Sequence, residues 1–221
     1  YFPQIIEKLH QSQLLQPNHR VMIEKPFGRD LNSALELQKE IQRFLNLDQI
    51  YLIDHYLAKE VVPNLLEMRF LTVFGAAWDR DHIAHVQINF SEKIGIGNRG
   101  QFWEETGLLR DVVQNHIMQL LSLVAMEQPD DFTDGQSIRK EKIKVLKEIR
   151  PFSLHELDNF IIRGQYGPGI VDGIEVNGYR QEAGVPAESN RETFVAAKLF
   201  IDNERWEGVP FYINAGKRLD K

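Results

Sequence analysis

The sequence predicts the tail of a parallel α/β domain followed by an α+β domain with a large, mainly antiparallel sheet. Three observations carry this. Residues 3–45 read as helix, strand, helix, the order found in parallel α/β units. Strand patterns then recur at residues 84–90, 193–201 and 209–214. Two long helices, at 108–126 and 137–150, separate them; strands joined this sparsely by helices favour antiparallel pairing, with the helices on one face.

Taken in order, Ile5, Ile6, Leu9 and Leu14 give residues 3–15 a helical spacing that Pro17 breaks. Arg20 to Glu24 reads as a short buried strand ending at Lys25-Pro26. The proline pushes residue 25 toward extended geometry, so Lys25 is expected at a strand end, pointing into a cleft. Asp30 is a good N-cap for a helix to about Leu45, with Leu31, Ala34, Leu35, Ile41, Phe44 and Leu45 on one face. The character changes around Tyr51-Leu52-Ile53, and the domains are drawn as residues 1–52 and 53–221.

In the second domain, Ala84, Val86, Ile88 and Phe90 alternate with His85, Gln87 and Asn89, a strand with one buried face. Pro151 stops the second long helix, and Asp202-Asn203-Glu204 and Gly208 supply turns between the last two strands. Residues 164–186 hold six glycines and two prolines and are expected to form a long loop without regular elements. No internal repeat or low-complexity tract is present.

At 221 residues the chain can bury a sizeable core. Its net charge of −6 gives no whole-molecule attraction for nucleic acid or an anionic membrane, so an anionic substrate needs a local basic cluster. With no cysteine, disulfides, thiolate metal sites and a thiol nucleophile are excluded, which fits a reducing cytosol. The most apolar stretch, residues 107–126, carries Arg110, Asp111, Gln114, Asn115 and His116 and does not read as a membrane span. Tyr1-Phe2-Pro3 is neither an initiator methionine nor a signal peptide, so the chain reads as a fragment.

One run concentrates polar chemistry. Asp54-His55-Tyr56 and Lys59 set a carboxylate, an imidazole, a phenol and an ammonium side by side, a grouping that a core could not bury unpaired. His116 follows Val112 and Val113 at helical spacing, so it projects from an apolar side. A lone imidazole there reads as a buried, hydrogen-bonded core residue; as a general base, its ordinary pKa of about 6.5 suits removal of an alcohol proton, and Asp54 is a candidate orienting acid. Lys25, Lys59 and Lys217 each adjoin residues that bend or stop the backbone. Singly they are solvated surface; together they would hold a phosphate dianion, with His55 and Tyr56 adding hydrogen bonds. Glu92 closes a strand and Asp111 opens a helix, where a carboxylate is favoured anyway; as a pair they could accept sugar hydroxyls. His82 and His85 on a strand would face opposite sides, so no metal site is expected. Residues 95–100 match G-x-G-x-x-G but do not head a βαβ unit, and read as a glycine-rich loop.

Three motifs, Ile23-Glu24-Lys25-Pro26-Phe27-Gly28-Arg29-Asp30, Ile53-Asp54-His55-Tyr56-Leu57-Ala58-Lys59-Glu60 and Gly107-Leu108-Leu109-Arg110-Asp111-Val112-Val113-Gln114-Asn115-His116, occur in this order. With Asn203-Glu204-Arg205-Trp206-Glu207-Gly208-Val209-Pro210-Phe211 and Gly216-Lys217, they make nearly the whole chain resemble glucose-6-phosphate dehydrogenases. The resemblance implies that residues 1–52 finish a Rossmann-like coenzyme domain and that 53–221 begin a substrate-binding and dimerisation domain. It implies oxidation of glucose 6-phosphate to 6-phosphogluconolactone with hydride passing to NADP, the first step of the pentose phosphate pathway, by a cytoplasmic dimer or dimer of dimers.

In that family reading His116 takes the hydroxyl proton and Asp54 stabilises the imidazolium. His55, Tyr56 and Lys59 grip the phosphate, Lys25 lies between sugar and nicotinamide, Glu92 and Asp111 accept sugar hydroxyls, and Lys217 is a further substrate lysine. The family's glycine fingerprint is expected upstream of Tyr1, Asn214 stands where many relatives carry arginine, and Ala58 replaces a common glycine. The alternative is a fragment that binds sugar phosphate or self-associates without hydride transfer of its own.

Overall fold

The computed structural model describes residues 2–219; Tyr1, which the reading of the chain start used, lies outside the described residues, as do Asp220 and Lys221. By internal contacts the chain divides into two compact units, residues 1–58 and 59–221.

The first unit runs α1 (Phe2–Gln11), β1 (Val21–Glu24), α2 (Leu31–Ile41) and β2 (Ile50–Ile53). The strands pair in parallel from Val21↔Ile50 to Glu24↔Ile53, and α2 is the crossover that parallel pairing requires. Helix α1 stops at Gln11, short of the expected residue 15, because Gln13 turns left-handed (φ 56°) and the Leu14 N–H bonds back to Leu9 O. Ile6, Ile23, Ile41 and Leu45 form the core, flanked by Val21, Leu37, Phe44 and Ile50.

Helix α2 ends at Ile41, short of the expected Leu45, so the buried stripe follows Leu37 and Ile41 on the helix and Phe44 and Leu45 in the segment after it. Leu31 and Leu35 fall on its flank, 73% and 54% exposed, contrary to the expected single face. Asp30 caps α2: its Oδ1 accepts the Ser33 N–H at 2.8 Å, and Ser33 Oγ accepts the Asp30 N–H at 3.0 Å. Replacing Asp30 by alanine is expected to lower the free energy of urea unfolding by about 1 kcal/mol; an unchanged midpoint would contradict the cap.

The second unit opens with α3 (Val61–Phe70), then β3 (Val86–Glu92) and α4 (Gly100–Leu108). A π-helix (Leu109–Ile117) leads into α5 (Met118–Ala125), followed by α6 (Gly135–Glu148) and the short α7 (Leu157–Phe160). Strands β4 (Ile161–Gly164), β5 (Gly169–Val171), β6 (Ile174–Val176), β7 (Phe194–Leu199) and β8 (Phe211–Lys217) complete it. The main sheet has the order β3-β8-β7-β4. It is mixed: β8 is antiparallel to β7, and β7 to β4, but β3 and β8 run parallel. These two lie far apart in the chain with four α-helices and the π-helix between them, which leaves ample length for a parallel crossover.

Two expectations need correction. The glycine-rich stretch 164–186 is not a structureless loop, because β5 and β6 form a hairpin around Asp172 (φ 50°) and Gly173 (φ 79°). Asp-Gly favours the left-handed pair of a type I′ turn, and that sets the register. The expected helix from 108 to 126 is broken at its start, where Gly107 sits at φ 68°, and is π-helical before it becomes α5.

The far end of this helical rod is fastened by side chains. A helix leaves its last four carbonyls without helical partners; here Leu123 O and Met126 O accept from buried Arg69, Val124 O from Trp78 Nε1, and Ala125 O from Trp206 Nε1. Trp206, fully buried, also meets Phe211 of β8 edge to face at 5.2 Å. The π-helix itself contacts β8, so the core lies between the rod and the sheet.

Candidate active site

In the first unit, Lys25 and Asp54 are the residues that follow the paired strand ends Glu24 and Ile53. Both therefore leave the carboxyl edge of a parallel pair, where α/β sheets hold ligands. The Lys25–Pro26 peptide is cis. After β2 the chain turns at once, Asp54 Oδ1 accepting the Tyr56 N–H at 2.9 Å and Asp54 O accepting the Leu57 N–H at 3.1 Å. This Asx-type turn follows from an aspartate directly after a strand. It brings the His55 and Tyr56 rings to 4.4 Å between centroids, tilted by 41°, with His55 exposed.

In the second unit, Lys59 is exposed at the entry to α3, where its carbonyl accepts the Val62 N–H. Glu92 and Lys217, considered apart in the sequence, are the last residues of β3 and β8 and stand in register. Lys217 Nζ lies 2.6 Å from Glu92 Oε2 and 4.9 Å from the centroid of the Trp103 ring. Lys217 is 3% exposed and Trp103 wholly buried. A desolvated ammonium is thus balanced by one carboxylate and one π-face. Trp103 escaped the sequence reading, in which an isolated tryptophan on an amphipathic helix signals only core. Asn214, at the position noted for arginine, bonds across the sheet to Asn89 Oδ1 at 2.9 Å.

The π-helix carries half-buried Asp111 and buried His116. Five residues apart on an α-helix point about 140° away from each other. With i→i+5 bonding, shown by Met118 N–H to Val113 O, residues five apart are brought onto one side. Asp111 and His116 have that spacing, so the unusual register places both on a common face. The sequence reading named both residues but not this pairing, which the register creates.

Other residues fall elsewhere. His82 Nδ1 bonds Asp79 Oδ1 at 2.7 Å, which holds the imidazole pKa above its usual value, and His85 sits near Tyr212 at 6.0 Å between ring centroids. Residues 95–99 form an irregular loop. Among the described residues no helix is long and apolar enough to cross a membrane.

The model of the glucose-6-phosphate dehydrogenase C-terminal domain matches residues 66–221, and that of the NAD binding domain of the same enzymes matches 1–64. The chain belongs to the glucose-6-phosphate dehydrogenase family. Among curated relatives, the glucose-6-phosphate 1-dehydrogenase of Chlamydia muridarum (strain MoPn / Nigg) is 54% identical over all of this chain and 44% of its own length. That of Bacillus subtilis (strain 168) is 50% identical over 90% of this chain and 41% of its own. A solved glucose-6-phosphate dehydrogenase in complex with its substrate glucose-6-phosphate is 43% identical and superposes with a TM-score of 0.90, covering 100% of this chain and 44% of that one. The chain thus spans less than half the length of these glucose-6-phosphate dehydrogenases. Lys25, Asp54, His55, Tyr56 and Lys59 fall within the NAD-binding match, and Glu92, Asp111, His116 and Lys217 within the C-terminal match.

Proposed function

We propose that this chain is the substrate-holding portion of an enzyme that oxidises glucose 6-phosphate to 6-phosphogluconolactone. The observation that carries the reading is its likeness, over its whole length, to a dehydrogenase solved with that sugar phosphate. His116 is the general base: its imidazole accepts the proton of the anomeric hydroxyl as the hydride leaves the same carbon, converting C–OH to C=O. Asp54 is the carboxylate that offsets the imidazolium. His55, Tyr56 and Lys59 supply the phosphate with two directional donors and a point charge. Asp111 and Glu92 accept hydrogen bonds from ring hydroxyls, and Lys217 pairs with Glu92 and adds positive charge for the anionic ester.

The match to an NAD binding domain implies a nicotinamide coenzyme, and we assign NADP. The residues present fit it only in part. β1-α2-β2 is a parallel unit, but β1 runs into Lys25-Pro26-Phe27-Gly28, and no G-x-G-x-x-G heads α2. From this chain Lys25, at the strand end, is the residue assigned to the coenzyme side. When bound, the coenzyme supplies the hydride acceptor. The working enzyme is placed in the cytoplasm as a dimer or dimer of dimers, with residues 53–221 as part of the substrate-binding and dimerisation domain.

Lys59→Ala tests the phosphate assignment. In the full-length enzyme it should raise KM for glucose 6-phosphate by roughly tenfold or more with kcat little changed, since a phosphate contact persists from ground to transition state. An unchanged KM would count against the role.

A further inference from the structure

We infer that Glu192 is a positioning residue for this reaction, fixing the start of the π-helix that carries Asp111 and His116; the inference rests on the activity proposed above. Glu192 is 6% exposed and lies just before β7. Its carboxylate Oε1 accepts the Leu109 N–H at 3.1 Å, and its backbone oxygen accepts the Leu108 N–H at 3.2 Å. These are the first amides after the break at Gly107, orphans that a helix start must place somewhere. A carboxylate suits them in charge as well, because the N-terminal end of a helix is positive. The same backbone oxygen accepts Trp103 Nε1–H at 3.2 Å, and Trp103 is the ring beneath Lys217. The next residue, Thr193, accepts the Lys217 N–H through its carbonyl at 3.0 Å. Residues 192 and 193 thus tie together the elements that carry Lys217, Asp111 and His116.

The clamp is itself held rigidly. Gln165 Nε2 donates to Ser189 O and Arg191 O at 2.9 and 2.8 Å, Thr193 Oγ1 accepts the Tyr166 N–H at 2.9 Å, and Ser189 Oγ donates to Glu104 at 2.6 Å. Tyr179 also donates to Glu104, and burial pushes its phenol well above the usual range, so it stays a donor. Gly107 leaves room for the arrangement: a Cβ there would meet Glu192 Oε1 at 2.4 Å and Arg191 Cδ at 2.6 Å. Glycine is thus required both for the left-handed φ and for the approach of the carboxylate.

Reach and charge separate this role from a general structural one. In the full-length enzyme Glu192→Gln keeps the length and an acceptor oxygen, whereas Glu192→Asp keeps the charge and loses one carbon. The glutamine variant should hold KM for glucose 6-phosphate within about twofold of the parent, and the aspartate variant should raise it about tenfold. KM for the coenzyme should be unchanged in both. Gly107→Ala, which displaces the carboxylate from the other side, should reproduce the aspartate result. Faster hydrogen exchange at the Leu108 and Leu109 amides should accompany each rise in KM. An aspartate variant with the parent KM, or a glutamine variant as impaired as the aspartate one, would overturn the inference. A parent enzyme that does not oxidise glucose 6-phosphate would instead refute the proposed activity.

Discussion

Full-length enzyme carrying His116→Asn is expected to lose turnover by a factor of roughly 100 to 10,000, the contribution typical of a positioned general base. His116 is buried on a helix whose far carbonyls are fastened by Arg69, Trp78 and Trp206. Asparagine removes the basic nitrogen from that fixed scaffold and leaves a polar group of smaller volume. The sugar phosphate is held by other residues in the proposed mechanism, so KM should stay within about threefold, the pattern of an interaction made mainly in the transition state. Steady-state kinetics with saturating coenzyme reads both quantities. Near-parental turnover would remove His116 from the chemistry.

Lys217→Met is expected to lower kcat/KM for glucose 6-phosphate by roughly 100-fold or more, as when one member of a desolvated charge pair is truncated. Methionine retains much of the lysine stem and can still pack on the buried Trp103. The lost group is the ammonium 2.6 Å from Glu92. Two effects then add: positive charge for the phosphate ester disappears, and Glu92, with its side chain 25% exposed, keeps a negative charge with no cation opposite. Both act against an anionic substrate. The measurement is kcat/KM across a salt series, in which the deficit should persist, because ions screen a buried ammonium little. A variant within threefold of the parent would show that the Lys217–Glu92 pair only braces the ends of β3 and β8.

The two predictions draw on different degrees of legibility. The run from Asp54 to Lys59 stands out in the sequence because core packing cannot absorb so many polar groups so close together. β1, β3 and the Asp30 cap were equally legible, since each rests on local rules of alternation, proline and capping. Contacts set by register were not. Glu92 and Lys217 meet because β3 and β8 pair in parallel across 125 positions, which no local pattern encodes.

The π-helix was hidden for a related reason. Its apolar residues satisfy an α-helical spacing, and its start rests on the left-handed Gly107 and on Glu192, an acceptor distant in sequence. The β5–β6 hairpin shows the opposite case: Asp172-Gly173 is a local signal, masked by the surrounding glycines. In α2 the pattern was visible, but its centre was misjudged, because which apolar residues are covered depends on what packs against the helix.

The most direct test of the central claim is reduction of NADP by the full-length enzyme, followed by absorbance of the reduced nicotinamide, with glucose 6-phosphate compared against glucose. The account predicts saturable turnover with the phosphate ester and a kcat/KM for glucose lower by several orders of magnitude. Equal rates with the two sugars, or no reduced coenzyme with either, would contradict it.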